Sequence, residues 1–132
     1  MSKDGKVKEL IEFAKSENQA TDEEIKVWVN AETAGEKWTA LHFCSFTGHI
    51  DSAYTLIDNH ADIFAININQ LNMLHVAAQG DSASTLYLFW LLGIDINARD
   101  KHGSTPLIWA CYTQSETVLQ YILNFTGPEI NK

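Results

Sequence analysis

Lysine and arginine are the first absence. None occurs between Trp38 and Ala98, a stretch that holds Asp51, Asp58, Asp62, Asp81 and Asp95, and the whole chain carries a formal net charge of −8. A surface of that sign repels phosphate backbones and anionic headgroups, so nucleic acid is not an expected partner and a polybasic membrane anchor is excluded. Cysteine is scarce as well. Cys44 and Cys111 are too few and too far apart for a disulfide framework or a zinc cluster. No charge-free apolar run approaches the roughly 20 residues of a membrane span, and the opening MSKDGKVKEL is not a signal peptide. The five histidines (42, 49, 60, 75 and 102) show no metal-ligand spacing. There is no Gly-rich phosphate loop and no nucleophile beside a base. The expectation is a cytoplasmic, non-enzymatic chain with no cofactor and no metal.

What is present is a repeat. Leu41, Leu74 and Leu107 recur at one constant interval, as do Cys44, Ala77 and Ala110. Ala53, Leu86 and Leu119 align at the same spacing, followed by Leu56, Phe89 and Ile122, then Ile57, Trp90 and Leu123. Each unit reads as two short helices. The first opens near Thr39, Asn72 or Thr105, where a side-chain oxygen can satisfy open amide groups, and Pro106 suits a first helical turn. Neither helix pair can bury its apolar face alone, so the units must stack. Residues 97–103 have a polar turn composition, with Gly103 free to take positive φ.

On these residues the chain resembles the ankyrin-repeat family. Residues 93–110 are close to that family's repeat junction, and the Leu-His pairs at 41–42 and 74–75 match its Thr-Pro-Leu-His signature. The resemblance implies an all-α ankyrin solenoid, with β-hairpin-like loops projecting from helix pairs beside a concave groove. The units are expected at 31–64, 65–97 and 98–132. Gln70 departs by standing where the hairpin wants glycine, Ile108 by replacing the histidine, and the third unit by one extra residue before Glu129-Ile130-Asn131.

Residues 1–30 differ. Val7, Leu10, Ile11, Phe13 and Ala14 form an apolar stripe, and Thr21 with Glu24 forms a capping box ahead of Ile25, Val27, Trp28 and Val29. This reads as an N-terminal helical cap or a degenerate repeat. The last unit lacks a polar capping helix, so a longer native chain is expected. A finer resemblance points the same way. Ala77-Ala-Gln-Gly-Asp81, the aromatic-rich helix after it and Trp109-Ala-Cys-Tyr112 are similar to the ankyrin segment of protist DHHC-type protein S-acyltransferases. That resemblance implies a palmitoyltransferase-associated recruiting module on the cytosolic face of a membrane. The Asp-His-His-Cys motif itself is absent from this chain.

Binding residues follow from helical spacing. Positions two, five and six after each aligned leucine share a face: Phe43, Phe46 and Thr47, then Val76, Gln79 and Gly80, then Trp109, Tyr112 and Thr113. These side chains either pack across units or line a groove that, with the hairpin tips, holds a protein or peptide partner, and Phe46, Gln79, Trp109 and Tyr112 are the groove candidates. The differing sizes of Phe43, Val76 and Trp109 favour groove over core. His42 and His75 read as structural groups tying units together, and both cysteines as inert core thiols. Residues 86–92 are hydrophobic all round, and Leu88 and Leu91 fall where the outer face should be wet. They are either covered by another segment or form a convex contact patch, which would be a route to self-association.

Overall fold

The computed structural model describes residues 8–13 and 20–124. Residues 8–13 are helical, and seven further helices follow: α1 (Asp22–Val29), α2 (Ala40–Thr47), α3 (Ile50–Asp58), α4 (Met73–Gln79), α5 (Ala83–Leu91), α6 (Pro106–Tyr112) and α7 (Glu116–Asn124). Among the described residues the extended structure amounts to one isolated bridge, Glu32 to Thr39. The helices pair as α2/α3, α4/α5 and α6/α7, and α4 packs between α2 and α6. This is an all-α solenoid. The extra residue before Glu129-Ile130-Asn131, and Val7 and Ala14 of the apolar stripe, lie outside the described residues.

Local chemistry explains where each first helix starts. Thr39, Asn72 and Thr105 are the N-caps of α2, α4 and α6, and each side-chain oxygen accepts the amide N–H three residues on. In α2 and α4 the residue at that third position is a histidine whose ring accepts a bond from the cap's own N–H. The same reciprocal box opens α1 with Thr21 and Glu24. Each inner helix is short because the chain must turn sharply into the outer one.

The backbone repeats as strictly as the side chains do. Lys37 (φ 62°), Gln70 (φ 62°) and Gly103 (φ 81°) sit at equivalent places on the three hairpin tips, all left-handed. Gly48, Asp81 and Gln114 do the same between inner and outer helices, and His60 and Gly93 after the outer ones. Gln70 therefore adopts the glycine-type geometry without being glycine, as do Lys37 and Asp81. Gly80 is required for a different reason: a Cβ there would collide with the Phe46 carbonyl at the end of α2.

The core is continuous through the stack. Leu41, Leu74, Ala77, Leu86, Phe89, Ala110 and Val118 are fully buried. In α1, Ile25 and Val29 point inward, whereas Val27 and Trp28 are exposed, so only half of that apolar run is core. Asn30 ties the end of α1 to the residues after α3, its amide donating to the His60 carbonyl and its oxygen accepting from the Asp62 N–H.

Two expectations are corrected. Leu88 is buried, at 6% exposure, and does not belong to a contact patch. It lies on the side of α5 marked by Thr85, whose hydroxyl donates to the Ser45 carbonyl of the preceding unit. On another side, Tyr87 and Trp90 meet Tyr121 of α7 edge-on. A middle outer helix has neighbours on both flanks, which is why its sequence is apolar nearly all round. Leu91 does stay exposed, as do Tyr87 and Leu92. The second correction is Cys111, which is exposed rather than a core thiol. Its equivalents Ser45 and Ala78 are fully buried; Ser45 there donates to the Met73 carbonyl of the following unit.

This packing sets the expected cost of emptying it. Leu74→Ala should cost roughly 2–5 kcal/mol, and Leu10→Ala much less, because Leu10 is 58% exposed; urea midpoints in the reverse order would contradict the stack. Gln70→Gly should stabilise the chain by about 1 kcal/mol, since it removes a left-handed non-glycine residue, and the same urea titration reads that gain.

Candidate protein-binding cleft

The hairpins and inner helices enclose a cleft of about 320 Å³. Its walls are Glu36, Trp38, Asn67, Asn69, Asp100 and His102 of the three hairpins, and its helical side is Gln79 and Trp109, with Leu71 between. The hairpins are held side by side by backbone bonds, Ile68 N–H to the Glu36 carbonyl at 3.0 Å and Lys101 N–H to the Asn69 carbonyl at 2.9 Å.

Histidines fix this arrangement from beneath. The Thr39 N–H donates to His42 Nδ1 at 3.1 Å, and the Asn72 N–H to His75 Nδ1 at 3.0 Å. A backbone N–H can only donate, so Nδ1 is unprotonated and the proton sits on Nε2. From there His42 donates to the Leu71 carbonyl at 3.1 Å, and His75 to the Ser104 and Ala98 carbonyls at 2.9 and 3.0 Å. Each ring thus joins the start of its own helix to the next hairpin. Burial lowers both histidine pKa values below the usual 6.5, against the opposing pull of those carbonyls. Both rings are therefore neutral at pH 7. Ile108 at the third equivalent position has no such donor.

Asn67 and Asp100, at equivalent positions of successive units, organise the hairpin tips. Asn67 Oδ1 accepts from the Asn69 and Leu71 N–H groups, both at 2.9 Å. Asp100 Oδ1 accepts from the His102 and Ser104 N–H groups at the same distance. The second atoms differ. Asp100 Oδ2 accepts from the Trp109 indole N–H at 2.8 Å, whereas Asn67 Nδ2 is buried and meets no hydrogen-bond partner among the described residues. Burial pushes the Asp100 pKa up, but the bonds from Ser104, Trp109 and His102 and the nearby His75 outweigh it and hold the carboxyl below its usual value.

The four groove candidates fall into two groups. Gln79 and Trp109 line the cleft. Phe46 and Tyr112 sit at its edge, Phe46 edge-on to the cleft-lining Trp38 at 6.0 Å and Tyr112 edge-on to Trp109 at 5.7 Å. Trp109 is half-buried: its N–H is anchored, and part of the ring remains open to the cleft. Tyr112 is 79% exposed. Helical spacing finds these four but misses Trp38, Asn67 and Asp100, which come from the loops. The recurrence of Asn67 as Asp100, each two residues before a polar tip residue, is the signal that could have found them. Among the described residues no group of three or more metal-ligating side chains comes together, and no helix is long and apolar enough to cross a membrane.

The histidine geometry makes stability pH-dependent. A histidine with a depressed folded pKa binds its proton more readily when unfolded, so stability is full above about pH 6.5 and falls as pH drops below it. Asp100 acts in the same direction at lower pH, contributing above its ordinary carboxylate range and losing that as it protonates. Urea unfolding at pH 7.5 and about pH 5.5 should show the loss, and replacing His42 and His75 with asparagine should flatten the slope between them. An unchanged slope would show that the rings are not neutral staples.

A family model for ankyrin repeats in three copies matches residues 41–132. The chain belongs to the ankyrin-repeat family. It is also similar to human transient receptor potential cation channel subfamily A member 1, with 31% identity over 86 residues; the match covers 64% of this chain and 8% of that protein. The chain thus spans a small fraction of the length of that relative.

Proposed function

We propose that this ankyrin-repeat chain is a protein-interaction module that holds an unstructured partner segment in the cleft between its hairpins and inner helices. Ankyrin repeats generally serve protein–protein interaction, and the sequence offers no residues to carry an enzymatic role. The observation that carries the reading is Trp109, half-buried, anchored at its nitrogen and lining the cleft. Trp109 offers an aromatic surface held rigid by Asp100, and rigid aromatics dominate recognition hot spots. A peptide provides side chains for the indole and a backbone for the polar cleft wall. Gln79 at the cleft wall can pair with the same backbone, while Phe46 and Tyr112 extend the apolar edge.

The recruiting-module reading that the acyltransferase resemblance implies would use this same cleft, with the transferase chemistry supplied by another part of a longer protein. Neither the cleft nor the human channel relative favours it, so the general reading stands first.

A photo-crosslinking amino acid at position 79 should label a short segment of a bound protein in cell extract, and the same group at Gln120, exposed on α7, should not. Trp109→Phe keeps the ring but loses the Asp100 bond, and should weaken that labelling several-fold. Trp109→Ala should abolish it while far-UV circular dichroism stays helical. Equal labelling from positions 79 and 120 would remove the cleft as the binding site.

A further inference from the structure

We propose that Asp81 is a positioning residue: its carboxylate latches the third unit onto the second and so fixes the seam that crosses the cleft wall between Gln79 and Trp109. Gln79 ends α4 and Trp109 lies in α6, and both line the cleft. The spacing of that wall therefore depends on how these two units are held together.

The two seams of the stack are held differently. Between the first and second units three hydroxyls reach across. Ser45 donates to the Met73 carbonyl at 2.7 Å, Ser82 to that of Phe46 at 2.6 Å and Thr85 to that of Ser45 at 2.7 Å. One repeat on, the equivalent residues are Ala78, Ser115 and Val118. Ala78 and Val118 have no hydroxyl. Thr113 Oγ1 gives its proton to the Trp109 carbonyl, so in the Thr113–Ser115 bond Ser115 is the donor and its proton stays within its own unit. Close approach is lost as well. Gly80 meets the Phe46 carbonyl where no Cβ would fit, and its equivalent Thr113 carries a Cβ.

Asp81 takes over at this second seam. It stands in the left-handed turn between α4 and α5 (φ 53°), and its Oδ1 accepts the Val118 N–H at 2.9 Å. Val118 is the third residue of α7, and its amide is one of those that a first helical turn leaves open. The capping group of α7 thus comes from the preceding unit, and a carboxylate there also meets the positive end of the helix. At the first seam the equivalent turn residue is Gly48, which has no side chain to reach across. A left-handed turn favours glycine over aspartate, so the turn by itself gives no reason for the carboxylate, whereas the bond to Val118 does. Tyr87 and Trp90 still meet Tyr121 across this seam, so loss of the latch loosens the third unit without unfolding it.

Amide hydrogen exchange of the whole chain, followed by NMR, tests the latch. Asp81→Gly relaxes the turn and removes the carboxylate. The Val118 amide should then exchange about tenfold faster or more, while amides of α2 and α3 change by less than about twofold. The Trp109 indole N–H resonance should shift in the same variant. Asp81→Asn keeps an acceptor oxygen and tolerates the left-handed turn, and should retain most of the wild-type protection. Adding Val118→Thr to Asp81→Gly gives the second seam the hydroxyl that Thr85 supplies to the first, and should recover protection in α7. Unchanged Val118 protection in Asp81→Gly, the result expected of a residue that only shapes its turn, would overturn the proposal. So would an equal loss of protection in every helix, an unmoved Trp109 indole, an asparagine variant as loose as the glycine one, or no recovery in the double variant.

Discussion

A single helix pair leaves one face uncovered, so each unit is stable only against its neighbour, and two neutral histidines decide how the neighbours meet. In His42 and His75 one ring nitrogen accepts the cap amide of its own helix and the other donates to a hairpin carbonyl of the next unit. The geometry requires an unprotonated Nδ1, and burial keeps it so. Hydroxyls add further ties at the other end of the inner helices, where Ser82 donates to the Phe46 carbonyl and Thr85 to that of Ser45. Hydrophobic burial supplies the larger energy, and these bonds set the register in which burial occurs.

Much of this is legible in the sequence, because repetition converts weak local signals into a strong one. A lone Thr or Leu-His pair says little, but the same pair at a fixed interval identifies a cap, a core leucine and a staple together. The left-handed positions are less legible. Gly103 announces its turn, but Lys37 and Gln70 adopt the same backbone with side chains that disfavour it. Stacked neighbours hold those tips in place, and that cooperative constraint is invisible in any one loop. Leu88 escapes sequence reasoning for a related reason. Periodicity within one helix assigns an inner and an outer face, whereas a middle helix in a stack also has two flanks to bury.

The cleft is half legible. Helix spacing puts Gln79 and Trp109 on the concave side, since the inner helices present one face at regular intervals. It cannot supply Trp38, Asn67 or Asp100, because loop side chains obey no such period. The Asp100–Trp109 bond shows what spacing leaves out. Core and groove are not alternatives for Trp109: the ring is anchored at its nitrogen and open over part of its surface. Anchoring reduces the entropy lost when a partner binds. Asn67 has the same backbone role in the middle unit, its Oδ1 accepting two tip N–H groups, but no aromatic ring is anchored on its second atom.

Charge placement gives the hairpins two unlike sides. Their cleft-facing residues include Glu36, Asn69, Asp100 and His102, polar groups suited to backbone hydrogen bonding and to weak, adaptable contact. The alternate residues Phe64, Ile66 and Ile68 of the second hairpin stay exposed, where the third hairpin carries Asn97, Arg99 and Lys101. The tip backbone repeats from unit to unit although these outward residues differ, from Ala31, Thr33 and Gly35 to Asn97, Arg99 and Lys101. The inward ones cannot vary in the same way, since they organise the tip or support the inner helix. The same tip geometry therefore forms with small, apolar or charged residues on its outer positions, so the backbone bonds and the inward residues define the hairpin.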